Sequence, residues 1–201
     1  VATFAEIYAN IQSIVERPHL QTFIESRING AINLISSSGN YKDDLVETTL
    51  ESIEGISPTA YIQSVTLPDR FRSTLYVDYP DPTGKQVLEP LSINDIGHRA
   101  VRHKSNVYYV SGSLLHIKHD VQTPVFLFGY FTYPAVLTGA QSNWITIRFP
   151  WLVEEIVIAA IRVVNGDVEA AAYLDRLNKQ EMGIWLQDAL RSEQLTVGAG
   201  R

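Results

Sequence analysis

Five histidines are the first residues to test for chemistry. His98 and His103 are five apart in a stretch that reads as loop. His116 and His119 are three apart on a strand, which points them to opposite faces. Neither spacing matches the i,i+4 helical pair of a zinc protease. The chain has no cysteine, which excludes a disulfide framework, a thiolate zinc site and a cysteine nucleophile. No metal and no cofactor is expected. Glu154 and Glu155 adjoin in a helical pattern, where neighbours point about 100° apart and cannot form a facing acid/base pair. They are expected in the first turn, where carboxylates suit the helix dipole. Asp43 and Asp44 follow a Gly-Asn turn and read as solvated. Ser111-Gly112-Ser113 reads as a hairpin turn. No G-x-S-x-G elbow, phosphate loop or G-x-G-x-x-G occurs, so the residues announce no enzyme.

One basic cluster stands out at residues 98–104, with Arg99, Arg102 and Lys104 as its full charges. It reads either as a solvated loop or as a contact for an acidic partner or a DNA backbone. Three charges are too few for tight nucleic-acid binding by one copy, but a ring would multiply them. The chain has 201 residues and net charge -6. Residues 1–100 hold 7 basic and 13 acidic groups, residues 101–201 nine of each. Such an acidic first half argues against broad clamping of nucleic acid. With 45 % apolar and 19 % charged residues the composition is that of a soluble globular protein. No run approaches the ~18 apolar residues of a membrane span. The start lacks the blocks of a signal peptide, and a chain opening at Val1 is expected to have lost its initiator Met.

The elements that must position these residues fall in three groups. Thr3 can cap a first helix whose Phe4, Ile7, Ile11 and Ile14 recur at helical spacing. Pro18 ends it. A second helix spans residues 19–37, with Leu20, Phe23, Ile24, Ile28, Ala31 and Ile35 as its apolar stripe. Strands are expected at 45–53 and 60–67. A hairpin follows at 73–79 and 86–91, then a short capped helix at 92–96. A meander comes next, through 107–110, 114–118 and 125–133. Phe149-Pro150 opens a helix to residue 164 that is apolar nearly all round and must sit centrally. Asn165-Gly166 closes it and Asp167 caps the next. That last helix spans 168–191, carrying Leu174, Leu177, Ile184, Trp185 and Ala189 inward, with Asp175 and Lys179 as an i,i+4 pair. The expected class is α+β: N-terminal helices, an inserted antiparallel β region, a C-terminal helix pair and a flexible arm. One domain covers 1–194, helical at 1–40 and 149–194, with the β insertion at 44–137; the arm is 195–201.

The strand at 125–133 is apolar on both faces. Val125, Leu127, Phe131 and Tyr133 share one; Phe126, Phe128 and Tyr130 share the other. Both faces need cover. A neighbouring subunit and a second layer of the same chain satisfy the periodicity equally well.

Several local patterns recur in order along the chain. They are Leu67-Pro68-Asp69-Arg70-Phe71, Tyr108-Tyr109-Val110 with Gly112-Ser113-Leu114, and Tyr130-Phe131-Thr132-Tyr133-Pro134 leading to Leu137. Asn143-Trp144-Ile145 and Phe149-Pro150-Trp151-Leu152 complete them. This succession, over nearly the whole chain, resembles the head-to-tail adaptor (connector, or neck) proteins of tailed bacteriophages, particularly the short-tailed ones. The resemblance implies a structural virion protein with no catalysis, made in the host cytoplasm and housed in the neck between capsid and tail. It implies a homo-oligomeric ring, commonly of twelve copies, docked beneath the portal protein. The lumen would continue the DNA channel without sequence-specific binding, and the far side would meet the tail nozzle or tail fibres. In such adaptors the C-terminal end engages the portal. Position alone then makes Arg191, Leu195, Thr196, Val197 and Arg201 the portal-facing arm. The ring likewise makes Phe126, Phe128 and Tyr130 its subunit-interface strand. A tail-tube or tail-terminator ring is the nearest alternative function, and a small hydrolase a more distant one.

Overall fold

The computed structural model describes residues 2–15, 20–50, 62–81, 84–92, 106–119, 125–177, 182–183 and 186. The class is mixed α+β, with helices first, β sheets in the middle and helices last. The chain divides into two compact units. One joins Val1–Asp44 to Tyr133–Arg201, and the other is Leu45–Thr132. The β insertion therefore ends at Thr132 and not at residue 137.

The helical unit contains α1 (Phe4–Val15), α2 (Gln21–Ser37), α3 (Trp144–Arg148), α4 (Pro150–Val164) and α5 (Val168–Arg176). Thr3 and Glu6 bond each other's backbone N–H in a reciprocal cap at the start of α1. The Thr3 N–H, and then its hydroxyl, hold the Glu6 carboxyl below its usual range. Phe4, Ile7 and Ile11 are buried as the spacing predicts, whereas Ile14 is exposed and Val15 packs against the core in the last turn instead. Of the stripe expected for the second helix, Ile24, Ile28, Ala31 and Ile35 are buried, and Leu20 and Phe23 partly so. α4 packs against α1, α2, α3 and α5 and buries six residues, from Leu152 to Ile161. It is central without being enclosed, because Trp151 and Val164 stay exposed. The stripe expected beyond α5 falls on Met182 and Leu186, both buried in this core. Ile184, Trp185, Ala189 and Lys179 lie outside the described residues.

Polar contacts within the helical unit hold its chain on either side of the insertion. At the exit, Asp44 is buried, in contrast to the solvated position expected for it. Its Oδ2 accepts from the Ser36 hydroxyl and its Oδ1 from the Trp144 indole N–H, each at 2.7 Å. A buried carboxylate is tolerated when its oxygens are hydrogen-bonded, and its partners here lie 8 and 100 residues away. Asp43 faces out and pairs with Arg148 at 3.1 Å. At the return, the Asn29 side chain accepts from the Leu137 N–H (2.8 Å) and donates to the Leu137 carbonyl (3.1 Å). Leu137 joins the helical core, which is why the insertion closes before it.

The β unit holds two four-stranded sheets. Its strands are β1 (Leu45–Leu50), β2 (Ile62–Thr66), β3 (Phe71–Asp81), β4 (Gly84–Val87), β5 (Glu89–Pro90), β6 (Val107–Ser111), β7 (Leu114–Lys118) and β8 (Phe126–Thr132). One sheet runs β1-β8-β3-β4 and the other β2-β7-β6-β5. The β3–β4 hairpin forms as predicted, but the chain then changes sheets at buried Leu88 and β5 pairs with β6 in parallel. The β6–β7 hairpin turns through Ser111-Gly112-Ser113. The expected meander breaks after β7. β8 crosses to the other sheet and pairs antiparallel with both β1 and β3. Between the sheets lies an aromatic-rich core of Val77, Tyr79, Leu88, Tyr108, Leu115, Ile117, Phe126, Phe128 and Tyr130.

Candidate interaction surface

The central position of β8 decides one expectation. Phe126, Phe128 and Tyr130 face the second sheet and are buried by their own chain. They are core residues and not a subunit-interface strand, because a strand flanked by β1 and β3 in one sheet and roofed by another has no open face on that side. On the opposite face Phe131 is buried and Leu127 partly so, while Val125 and Tyr133 at its two ends are exposed. The Tyr76 ring lies over Gly129, where an added Cβ would meet it at 2.6 Å, and its hydroxyl donates to Glu47. Arg72 lies over the Phe131 ring at 5.3 Å. Hydrogen bonding to Glu47, ahead of burial, pushes the Tyr76 hydroxyl up to about 12.

Arg99, Arg102 and Lys104, and the arm residues Arg191, Leu195, Thr196, Val197 and Arg201, lie outside the described residues. So do His19, His98, His103 and the short helix expected at 92–96, apart from Ser92.

His116 and His119 do point apart. His119 is buried edge-on to Phe126. His116 lies on the outer side of β7, where its Nδ1 meets the Ser64 hydroxyl at 2.8 Å and its ring stacks on Tyr109 at 4.6 Å. Ser64, His116 and Tyr109 are directly opposite one another across β2, β7 and β6. Cross-strand pairs of this kind stabilise a sheet. A serine nucleophile needs in addition a group that orients the histidine and donors for an oxyanion, and the contacts of this pair supply neither. Among the described residues no group of three or more His, Asp or Glu could hold a metal ion.

Glu154 and Glu155 do not cap α4. The helix opens at Phe149-Pro150, so both fall in its second turn. Glu154 accepts a 2.8 Å bond from Asn10 of α1. Burial, followed by a hydrogen bond to Glu155, pushes the Tyr173 hydroxyl up to about 12, so α5 is tied to α4 by Tyr173 and Glu155. These carboxylates belong to a groove of about 430 Å³ between α4 and α5. Along α4 it is lined by Trp151, Glu154, Glu155, Ile158, Ala159 and Arg162, one face at helical spacing. Its other wall is Asp167, Glu169, Ala170 and Tyr173.

The sequence builds this groove locally. Gly166, at φ 89°, makes the left-handed turn after α4 that a side chain resists. Asp167 then caps α5, its Oδ1 accepting from the Glu169 and Ala170 N–H groups at 3.0 Å, which sends α5 back against α4. Ala159 and Ala170, both buried, let the helices approach. The result is an apolar floor under four carboxylates and one guanidinium, with an indole 45 % exposed at one end. Its field attracts cations and repels phosphate. The chain matches no protein-family model, and no curated protein is significantly similar to it.

Proposed function

We propose that this chain is a ring-forming structural subunit of a phage neck, which joins the capsid portal to the tail and continues the DNA channel. The observation that carries the proposal is the architecture. A helical unit made from both ends of the chain holds an inserted two-sheet unit, with polar contacts of the helical unit on either side of the insertion. That order of helices, β insertion and helices is the one the motif succession implies. The proposed partners are further copies of the chain, commonly twelve, the portal protein, and tail nozzle or tail fibre proteins. DNA passes the lumen without being read.

Electron microscopy of the native particle, with the protein carrying a small gold-binding tag, tests this. The expected result is a ring of label at the vertex between capsid and tail. Label confined to the tail would replace the proposal by a tail-tube or tail-terminator ring. Protein absent from particles, or working alone as a hydrolase, would end it.

A further inference from the structure

We propose that the α4–α5 groove receives the basic stretch at residues 98–104 of a neighbouring copy. This rests on the ring, which places a second copy of the chain beside each subunit. Charge selects the occupant. The groove sets Glu154, Glu155, Asp167 and Glu169 against Arg162 alone. The stretch at 98–104 holds Arg99, Arg102 and Lys104 with no carboxylate, a density of positive charge that no other seven residues of the chain reach. The C-terminal residues 187–201 carry Arg191 and Arg201 against Asp188 and Glu193, so their charges cancel and offer the groove nothing. DNA phosphate is repelled by the same carboxylates.

The chemistry of the groove favours arginine in particular. Trp151, 45 % exposed, stands one turn before Glu154 and Glu155. A guanidinium is weakly hydrated and planar, so it can stack on the indole while bonding a carboxylate. The apolar floor of Ile158, Ala159 and Ala170 takes the methylene stem. From Trp151 to Arg162 α4 rises about 16 Å, and the five steps from Arg99 to Lys104 reach about 16 Å when extended. Because groove and basic stretch are different segments of the chain, each copy would give one and receive the other. Such head-to-tail contacts close into rings when the rotation permits.

The test is a titration of the full-length protein with a synthetic peptide of residues 97–105, followed by tryptophan emission. A saturable change is expected. It should be absent in Trp151→Phe and at least tenfold weaker in Glu155→Gln/Glu169→Gln, and a peptide with both arginines replaced by glutamine should not produce it. No saturation up to about 1 mM, or an unchanged response in Trp151→Phe, overturns the assignment. The cysteine-free chain permits a second test. Glu169→Cys copies are mixed with differently tagged Arg102→Cys copies, and a disulfide between the two is expected. A bond that forms only inside single chains of the double variant overturns the neighbouring-copy assignment. Rings seen by microscopy without the cross-link sink the groove contact and leave the proposed function standing. If no rings form in particles, both fall.

Discussion

The two units solve the same packing problem with different side chains. The helical core is largely aliphatic, with isoleucine at positions 7, 11, 24, 28, 32, 35, 145, 156 and 161. The β core is built on rings. Phe128 stacks on Tyr130 at 4.7 Å, Phe71 lies within 6.3 Å of both, and Tyr79 meets Phe126 edge-on. Flat rings fill the thin space between sheets, and tyrosines can carry a hydroxyl to the rim. Both units bury polar groups, and neither satisfies every one of them among the described residues. Asp44 and Asn29 are bonded across long stretches of sequence. In the β unit the buried Asp78 Oδ1, Thr74 Oγ1 and Asn106 Oδ1, and in the helical unit the buried Asn143 Nδ2, have no hydrogen-bond partner among the described residues. Two halves of the helical unit must meet across an 88-residue insertion, residues 45–132. Closing that loop costs entropy that specific long-range contacts must offset; the β unit meets the same cost, since only β3–β4 and β6–β7 are local hairpins while β1–β8, β3–β8 and β2–β7 pair strands distant in sequence.

The sharpest way to break this comparison is Phe128→Ala, which should destabilise the protein by about 3–5 kcal/mol in urea unfolding. Amide-exchange protection should fall in β1, β3 and β8 before it falls in α2 and α4. Equal loss in the helices would mean that one core, and not two, governs stability. Asp44→Ala removes the carboxylate that accepts from the Ser36 hydroxyl and the Trp144 indole, and should cost about 2–4 kcal/mol. Its mark is a change in Trp144 emission with β-strand exchange preserved. A cost below about 0.5 kcal/mol, the usual size of a surface change, would show that the exit pin does not hold the helical unit. Asn143, whose side chain and Thr146 cap α3 reciprocally, should cost about 1 kcal/mol when changed to Ala. It sharpens the comparison by measuring a local cap against a long-range pin.

The smallest expected effect is alkaline. Tyr76 and Tyr173 are both raised from the ordinary tyrosine value to about 12. Raised values favour the neutral form, so the associated stability is complete below pH ~10 and is lost as pH climbs toward ~12. Burial, with the Asp78 charge behind it, raises Tyr108 in the same direction. In an absorbance titration some of the ten tyrosines should therefore ionise late, and the late fraction should shrink in Tyr76→Phe and in Tyr173→Phe. One site lies in each unit, so the two variants report on the units separately.

Local patterns carried much of this fold in advance. The apolar stripe of α2, Pro150 at the start of α4, the Asp167 cap and the Ser111-Gly112-Ser113 turn all follow from residues within a few positions of one another. What local pattern could not supply was partner choice. β8 is apolar on both faces, and nothing near it says whether the cover is a second sheet, a Tyr76 ring or another subunit. Asp44 sits beside Asp43 with the same chemistry, yet its partners are Ser36 and Trp144, so its burial is a long-range fact. The groove was half visible. Trp151, Glu154, Glu155, Ile158 and Arg162 share one face of a helix that is otherwise apolar, a pattern that marks an exposed stripe. Its second wall depends on α5 folding back, which the Asn165-Gly166-Asp167 turn encodes only in combination.

Because both outer stretches of the chain belong to the helical unit, the insertion lies off the load path between them. Tension applied through α1 and α5 falls first on the helices and on the Asp44 and Asn29 clasps, and the sandwich feels it only after those give way. A part built this way can be pulled from its ends without its sheets being unzipped.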